Sequence, residues 1–466
     1  ETYGEGQYSL ADSFNEMLPP ISADGSDAAK ASYGDATANA RAAEAVDPAV
    51  KAARLADYGA AIYQSIRQAR PDAVWVMQGW LFGADRDFWS SDAIGAFLSR
   101  VPDDRLMVLD IGNDRYPDVW TRADAFKGKS WIYGYVHNYG GSNPVYGDLD
   151  FYRTDLAAIR GSDKTRNLTG FGVFPEGLHS NSVVYEYLYD LDWEDAAPAD
   201  WLKVYTRARY GQDSPALLAA WGNLQTAVYQ TRYWTPRWWK SRAGAYLFFK
   251  RPTIDATEFA PLPGNPLLLK QAVEQFLALA PELGGSKLFS NDVIDAARHL
   301  AGFEIDASIQ AAITAYKTGD LTGGDAAVTH LSDLARRVDA LLGAQQETLS
   351  SWIDDARGYG DTPAESAYYV ENAKAQVTVW GGKGNLNDYA SKAWQGLYAD
   401  FYLPRWTQFL AALRQSVVAQ MPFDQTAFTA AITDWEHDWV KADAVYTRHV
   451  PANPLADVKS LLEACA

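Results

Sequence analysis

Up to residue 176 the sequence alternates between short apolar runs and longer amphipathic segments, and this alternation restricts the possible folds. Four of the five runs are apolar throughout and rich in β-branched or aromatic residues, as is typical of strands covered on both faces. The alternation predicts a parallel α/β sheet or barrel. The predicted strands are residues 8–14, 73–79, 106–111, 131–136 and 170–174, and the predicted helices are 49–68, 91–101 and 149–160.

After about residue 197 the pattern changes to a helical period without strands. Pro198 marks the first helix start, Asn291 and Asp325 stand where N-caps are expected, and Pro404 should kink or split the last helix. We therefore predict a barrel domain over residues 1–197 and an all-α domain over residues 198–466. The predicted helices are residues 199–209, 215–229, 266–280, 291–302, 308–318, 325–343 and 387–417.

Charge and composition exclude several classes of protein. The chain has 41 basic and 59 acidic residues, a formal net charge of −18, which repels phosphate backbones and argues against nucleic-acid binding. It has no run of apolar residues long enough to span a membrane. The single cysteine, Cys465, allows neither an intrachain disulfide nor a cysteine-based metal site, and we expect no metal.

Polar side chains follow the predicted strands at the point where each strand ends. Glu16 follows the first strand, Trp80 the second, His137 the fourth and Glu176 the fifth. In (β/α)8 barrels the carboxyl ends of the strands carry the active site. The pattern thus predicts one catalytic face on an incomplete barrel, because five strands do not close a barrel of eight.

Two glutamates, Glu16 and Glu176, are the strongest candidates for catalysis. A pair of carboxyl groups across a polar cleft can cleave a glycosidic bond when one is protonated and the other ionised. Pro175 and Gly177 flank Glu176 with a rigid and a permissive backbone. The 17 Trp, 27 Tyr and 18 Phe also suit carbohydrate, although most large aromatic residues of any protein lie in its core.

Five further residues are candidates for binding substrate, each with a structural alternative. The Asn15 amide suits a sugar hydroxyl or acetamido group, and Asp12 either touches substrate or orients its neighbours. Trp80 either stacks under a sugar or caps the barrel core, and its place at a strand end favours stacking. His137 and Asn138 either bind sugar hydroxyls or hold the loop of Gly140 and Gly141.

Several runs together closely resemble glycoside hydrolase family 89, the α-N-acetylglucosaminidases. In the first half these are residues 12–17 (DSFNEM), 75–82 (WVMQGWLF), 137–141 (HNYGG) and 175–177 (PEG). In the second half they are 380–381 (WG), 388–390 (DYA), Trp394, 396–397 (GL) and 402–406 (YLPRW). The resemblance runs in order along almost the whole chain, so its joint specificity is high.

The resemblance implies a small N-terminal domain, a (β/α)8 barrel and an all-helical C-terminal domain, of which this sequence has barrel strands 4–8 and the helical domain. It implies removal of terminal α-linked N-acetylglucosamine with retention of configuration. Glu16 would be the acid/base and Glu176 the nucleophile, without a cofactor. We expect a preceding segment of the same protein to complete the barrel.

The resemblance leaves the natural glycan open between heparan-sulfate-like and mucin-type chains. It implies secretion or a periplasmic location in a bacterium, or a lysosomal one in an animal. Two alternatives remain. One is a carbohydrate-binding relative that has lost activity, and the other is a barrel glycosidase with a different sugar preference.

Overall fold

The structure of the protein, a computed structural model, describes residues 6–14, 18–21, 46–142, 144–177, 179–232, 246–255, 261–380 and 387–465. Within these ranges one parallel sheet has its strands hydrogen-bonded in sequence order. This is the order that neighbouring strands have in a (β/α)8 barrel. The strands are β1 (Tyr8–Leu10), β2 (Val74–Gln78), β3 (Leu106–Asp110), β4 (Ser130–Tyr135) and β5 (Leu168–Val173).

The strands lie close to their predicted positions because the apolar runs supply the buried side chains of the sheet. Trp75 on β2, Val108 on β3 and Trp131 on β4 are fully buried. The first strand is shorter than predicted and ends at Leu10 instead of residue 14. Phe14 has a φ of 66°, a left-handed conformation in which a strand cannot continue.

The helices of the first 197 residues include the three that the amphipathic pattern predicts. The first begins after Asp47, whose carboxylate accepts hydrogen bonds from the backbone N–H groups of Ala49 and Val50. A fourth helix follows β5 and was not predicted. These helices are α1 (Pro48–Ala69), α2 (Ser91–Leu98), α3 (Leu149–Arg160) and α4 (Ser182–Asp190), and short helical turns lie at Leu81–Ala84 and Val119–Arg122.

The second part of the chain is helical throughout the described residues, as the sequence predicts. Four of its helices, Leu349–Arg357, Pro363–Gln376, Gln425–Lys441 and Pro454–Ala464, were not among the predicted ones. The helices are α5 (Pro198–Tyr210), α6 (Pro215–Val228), α7 (Pro266–Ala278), α8 (Lys287–Lys317), α9 (Leu321–Leu342), α10 (Leu349–Arg357), α11 (Pro363–Gln376), α12 (Leu403–Val418), α13 (Gln425–Lys441) and α14 (Pro454–Ala464).

The prediction of two helices at 291–302 and 308–318 is wrong, because helix α8 runs through both without a break. Asp306, which lies between the two predicted helices, is buried and satisfied inside the fold. Its carboxylate accepts hydrogen bonds from the backbone N–H groups of Leu247 and Phe248. A polar residue in the middle of a helix therefore marks a tertiary contact here and not a helix end.

Two helices begin at residues other than the predicted N-caps. Asn291 lies inside α8, which is capped by Ser286, and Asp325 lies inside α9, which is capped by Asp320. The predicted helix over 387–417 begins only at residue 397, and the expected split at Pro404 is wrong, because the backbone is helical from 397 to 418. A π-helical turn at Tyr398–Tyr402 leads into α12, and Pro404 stands in the first turn of α12, where its missing N–H costs nothing.

The described residues form two compact units whose division differs from the predicted boundary at residue 197. The first unit comprises residues up to 137 with 153–175 and 188–195, and the second comprises 138–152, 176–187 and 196–466. The segments after β4 and β5 thus pack with residues of the helical part. No helix in the described part of the chain combines the length and apolarity needed to cross a bilayer.

Four charged side chains form a network in the second unit, and two of them, Arg405 and Glu436, are wholly buried. Arg405 donates to Asp388 Oδ1 at 2.7 Å and to Glu436 Oε1 at 3.0 Å. Arg251 donates to Glu436 Oε2 at 3.1 Å through Nε and to Asp388 Oδ2 at 2.8 Å through its backbone N–H. The two positive and two negative charges balance, so each buried ion has a hydrogen-bonded partner of opposite sign.

We expect Glu436→Gln to lower the free energy of unfolding by about 3–5 kcal/mol, because it leaves the buried Arg405 guanidinium without one of its two carboxylates. Urea denaturation followed by tryptophan fluorescence measures the change.

Arg414→Gln on α12, the helix that contains Arg405, provides the control. Arg414 pairs with Asp325 at 2.7 Å, and both side chains are exposed, so solvent replaces the lost pair. An equal loss of stability in the two variants would show that burial of the network contributes nothing.

Candidate active site

Glu176 lies three residues beyond the end of β5, and two hydrogen-bond donors meet its side chain. Both bonds end on the same carboxylate oxygen, Oε2. The backbone N–H of Gly140 donates to it at 2.5 Å, and the hydroxyl of Tyr389 donates at 2.7 Å. The two donors fix the orientation of the side chain. Among the described residues none donates to the other oxygen, Oε1.

The loop after β4 reaches Glu176 because its backbone takes left-handed conformations in succession. His137, Asn138, Gly140 and Gly141 have φ values of 46°, 53°, 72° and 64°. A Cβ atom on Gly140 would overlap the backbone oxygen of Tyr389. Glycine is therefore required at this position both for its φ and for the close approach of the two backbones.

Asn138 connects the loops that follow β4 and β5. It is 1% exposed, its backbone N–H donates to the Tyr146 hydroxyl at 2.8 Å, and its Nδ2 donates to the backbone oxygen of Gly177 at 3.1 Å. These contacts favour the structural alternative for Asn138, in which it holds the loop next to Glu176. The neighbouring His137 is fully buried in the first unit, where its backbone N–H donates to Asp114 Oδ2 at 3.3 Å.

A pocket of about 420 Å³ in the second unit contains Glu176 in its wall. This volume is in the range of sites that bind small molecules. Its wall combines aromatic rings, which can stack on a sugar, with a few charged groups, which can orient it. The aromatic residues are Trp352, Trp380, Tyr389 and Trp394, and the charged residues are Glu176, Glu347 and Lys392.

The charged groups of the pocket wall have defined partners. Lys392 donates from Nζ to the backbone oxygen of Gly140 at 2.5 Å. Burial lowers the pKa of Lys392 to about 8, against the attraction of Glu347 and Glu176. Glu347 accepts a hydrogen bond from Trp394 Nε1 at 3.2 Å and pairs with His179 Nε2 at 3.2 Å.

Asp12 and Trp80 are connected through Gln78 in the first unit. Asp12 accepts hydrogen bonds from the backbone N–H of Gln78 at 2.7 Å and from its Nε2 at 2.8 Å. Gln78 Oε1 in turn accepts from Trp80 Nε1 at 3.0 Å. Asp12 thus holds Gln78, and the half-buried indole of Trp80 is held in place by its N–H. Contact of Asp12 with substrate and its orientation of Asn15 or Glu16 both stay predictions.

Asn15 and Glu16 lie outside the described residues, and their roles as substrate ligand and acid/base stay predictions. In the described part of the chain no three His, Cys, Asp or Glu side chains form a group that could hold a metal ion.

Tyr389 and Lys392 were not predicted as site residues, although the surrounding segment is part of the resemblance. Tyr389 is separated from Glu176 by 213 positions. Both residues fall within the helix predicted over 387–417, whereas they lie in a non-helical segment between α11 and α12. Only the tertiary fold brings their donors to the carboxylate and to its loop.

Two family models match this chain, one after the other. The family model described as the α-N-acetylglucosaminidase (NAGLU) TIM-barrel domain matches residues 1–195, and the model of the α-N-acetylglucosaminidase (NAGLU) C-terminal domain matches residues 201–464. The chain is 31% identical over 460 residues to α-N-acetylglucosaminidase from Homo sapiens, a match that covers 97% of this chain and 56% of the human protein.

Two solved structures from Clostridium perfringens have the same fold. A family 89 glycoside hydrolase in complex with PUGNAc has a TM-score of 0.78 at 21% identity, covering 99% of this chain and 49% of that one. An enzyme in complex with its substrate GlcNAc-α-1,4-galactose has a TM-score of 0.77 at 21% identity, covering 98% and 48%. The chain thus spans about half the length of these relatives.

The predicted fold is confirmed by these matches. The parallel sheet is part of a TIM barrel, and the helices after it form the C-terminal domain of the same family. With both family models matched in order along the sequence, the chain belongs to the α-N-acetylglucosaminidase family, glycoside hydrolase family 89.

Proposed function

We propose that this chain carries the catalytic residues of a retaining exo-α-N-acetylglucosaminidase, in which Glu176 is the nucleophile and Glu16 the acid/base. The observation that carries the proposal is the environment of Glu176. Its side chain receives two hydrogen bonds on Oε2 in the wall of an aromatic-lined pocket, so it is held in one orientation, with no donor to Oε1 among the described residues. A carboxyl group held in this way suits a glycosidase nucleophile.

The reaction has two steps. In the first, Glu176 attacks the anomeric carbon and forms a glycosyl ester, while Glu16 gives its proton to the departing glycosidic oxygen. In the second, Glu16 takes a proton from water, whose oxygen attacks the anomeric carbon and releases the Glu176 carboxylate. Two displacements restore the α configuration, and the two carboxyl groups should lie about 5 Å apart, as in other retaining enzymes.

The segment that precedes this sequence in the whole protein supplies the remaining strands of the barrel. Two facts support this part of the proposal. The sheet of the described residues has five strands where an eight-stranded barrel needs three more, and the human relative is matched over 56% of its length. Activity assays therefore use the full-length protein.

The substrate is a glycan with a terminal α-linked N-acetylglucosamine, and a neutral, mucin-type chain fits better than a sulfated one. The net charge of −18 repels sulfate groups, and Glu347 adds a second carboxylate to the pocket wall that contains Glu176. Because such glycans lie outside the cytoplasm, we place the protein in a secreted or periplasmic location if it is bacterial, or in the lysosome if it is from an animal.

We expect the full-length protein to hydrolyse 4-nitrophenyl α-N-acetylglucosaminide and to release the α anomer first, as followed by NMR. The matching α-glucoside should react about 10⁴-fold more slowly, because it leaves the groups that bind the acetamido group without a partner. Equal rates on both substrates would indicate a different sugar preference. Release of the β anomer would contradict retention, and no turnover of either substrate would favour an inactive relative.

Glu176→Gln should lower kcat on the order of 10⁵-fold, because the amide cannot form the glycosyl ester. Its shape and its contacts with Gly140 and Tyr389 are largely kept, so the thermal unfolding temperature should hardly change. Glu282→Gln, the same substitution at an exposed position, serves as the control and should keep full activity. Activity of Glu176→Gln equal to that of the control would exclude Glu176 as the nucleophile.

Glu16→Ala should affect substrates according to their leaving groups. A glycan or an alkyl glycoside needs a proton on its departing oxygen and should lose about 10²–10⁴-fold in kcat/KM, whereas a dinitrophenyl glycoside should lose far less. Steady-state kinetics on both substrate classes measures the difference. An equal loss on both would contradict the acid/base role.

A further inference from the structure

The segment that supplies Tyr389 also supplies a lysine to the loop around Glu176. Three residues after Tyr389, Lys392 donates from Nζ to the backbone oxygen of Gly140 at 2.5 Å. A Cβ on the next residue, Gly141, would come within 2.5 Å of both this ammonium nitrogen and the backbone oxygen of Glu176. The lysine therefore lies directly against the glycine loop.

Gly140 connects Lys392 with Glu176. Its C=O accepts from the lysine, while its N–H donates to Glu176 Oε2. A glycine has no side chain to fix its orientation, and its φ of 72° is one of several that it can adopt. The direction of its N–H therefore depends on the partners of its backbone groups.

Lys392 is itself held by Tyr402 in the π-helical turn. Its backbone N–H donates to the Tyr402 hydroxyl at 2.9 Å, and that hydroxyl donates to the backbone oxygen of Lys392 at 3.0 Å. Tyr402 is fully buried and stacks on Phe249, with ring centroids 4.5 Å apart. The lysine thus has a rigid base from which its side chain reaches the loop.

We propose that Lys392 is a positioning residue for the hydrolysis reaction, whose ammonium group fixes the carbonyl of Gly140 and so keeps the Gly140 N–H directed at the Glu176 carboxylate. The reaction itself rests on the function proposed above. The geometry of the loop does not, and it can be tested separately.

The charge of Lys392 supports this role. Burial lowers its pKa to about 8, so the ammonium form still predominates at neutral pH and is lost as the pH rises through that value. Glu176 and Glu347 attract it, and Glu347 also pairs with His179. The titratable groups around Lys392 also include two tyrosine hydroxyls. Tyr389 belongs to the same segment as Lys392, and Tyr402 belongs to the π-helical turn. A charged donor binds a carbonyl more strongly than a neutral one.

A second lysine provides a matched control. Lys374 on α11 donates from Nζ to the backbone oxygen of Ala442 at 2.8 Å and lies over the ring of Trp439, 4.6 Å from its centroid. Burial lowers its pKa to about 8 as well. It is not among the residues that line the pocket of Glu176. Lys374 therefore shares the chemistry of Lys392 without the connection to Glu176.

The test compares Lys392→Met with Lys374→Met in the full-length protein. Hydrogen–deuterium exchange followed by mass spectrometry reports on the peptide that contains Gly140, and kinetics on 4-nitrophenyl α-N-acetylglucosaminide gives kcat and KM. We expect Lys392→Met to speed exchange at Gly140 and to lower kcat about 100-fold with little change in KM, because a displaced nucleophile slows attack and leaves binding intact. Lys374→Met should lower the unfolding temperature and leave kcat and Gly140 exchange unchanged.

Two results would overturn the proposal: unchanged exchange at Gly140 in Lys392→Met, or an equal loss of kcat in both variants, which would reflect a general loss of structure. Failure of the proposed function gives a different result. The unmodified protein would then hydrolyse no substrate, while faster exchange at Gly140 in Lys392→Met alone would still support the positioning contact.

Discussion

The buried ion pair between Arg405 and Asp388 is the interaction on which the site depends. Asp388 has a φ of 66°, which a residue other than glycine adopts at an energetic cost, and its carboxylate is fixed by Arg405 and by the backbone N–H of Arg251. The next residue is Tyr389, which donates to Glu176. A strained backbone held by a buried charge thus determines where the tyrosine hydroxyl lies.

The structure divides the requirements of a reactive carboxylate between two parts of the sequence. The strands and the glycine loop bring Glu176 and the Gly140 N–H together, whereas the segment between α11 and α12 adds a hydroxyl and an ammonium group. In the nucleophile role proposed for Glu176, donors that are fixed before substrate binds would reduce the reorganisation that the side chain needs during the reaction.

The sequence predicts the elements whose signal is local. The prediction fails where the role of a residue depends on a partner far away in the chain. Strand β3 is found close to its predicted bounds because its apolar residues are consecutive in sequence. Helix α8 is continuous where the sequence predicts two helices, and Asp306, which lies between those two, has its partners, the N–H groups at 247 and 248, far away in the chain. Glu176 could be predicted from its place after a strand. Tyr389 could not, because its role arises from a contact over 213 positions.

The hydrogen bond between Tyr389 and Glu176 also affects how a smaller enzyme could be made from this family. The natural choice would be to keep the barrel and discard everything after residue 200, since the helices contain neither of the two catalytic glutamates proposed here. That truncation would remove the phenol and the ammonium group that order Glu176 and its loop. On the function proposed here, a minimal enzyme would have to replace both donors, so the helical domain would belong to the catalyst.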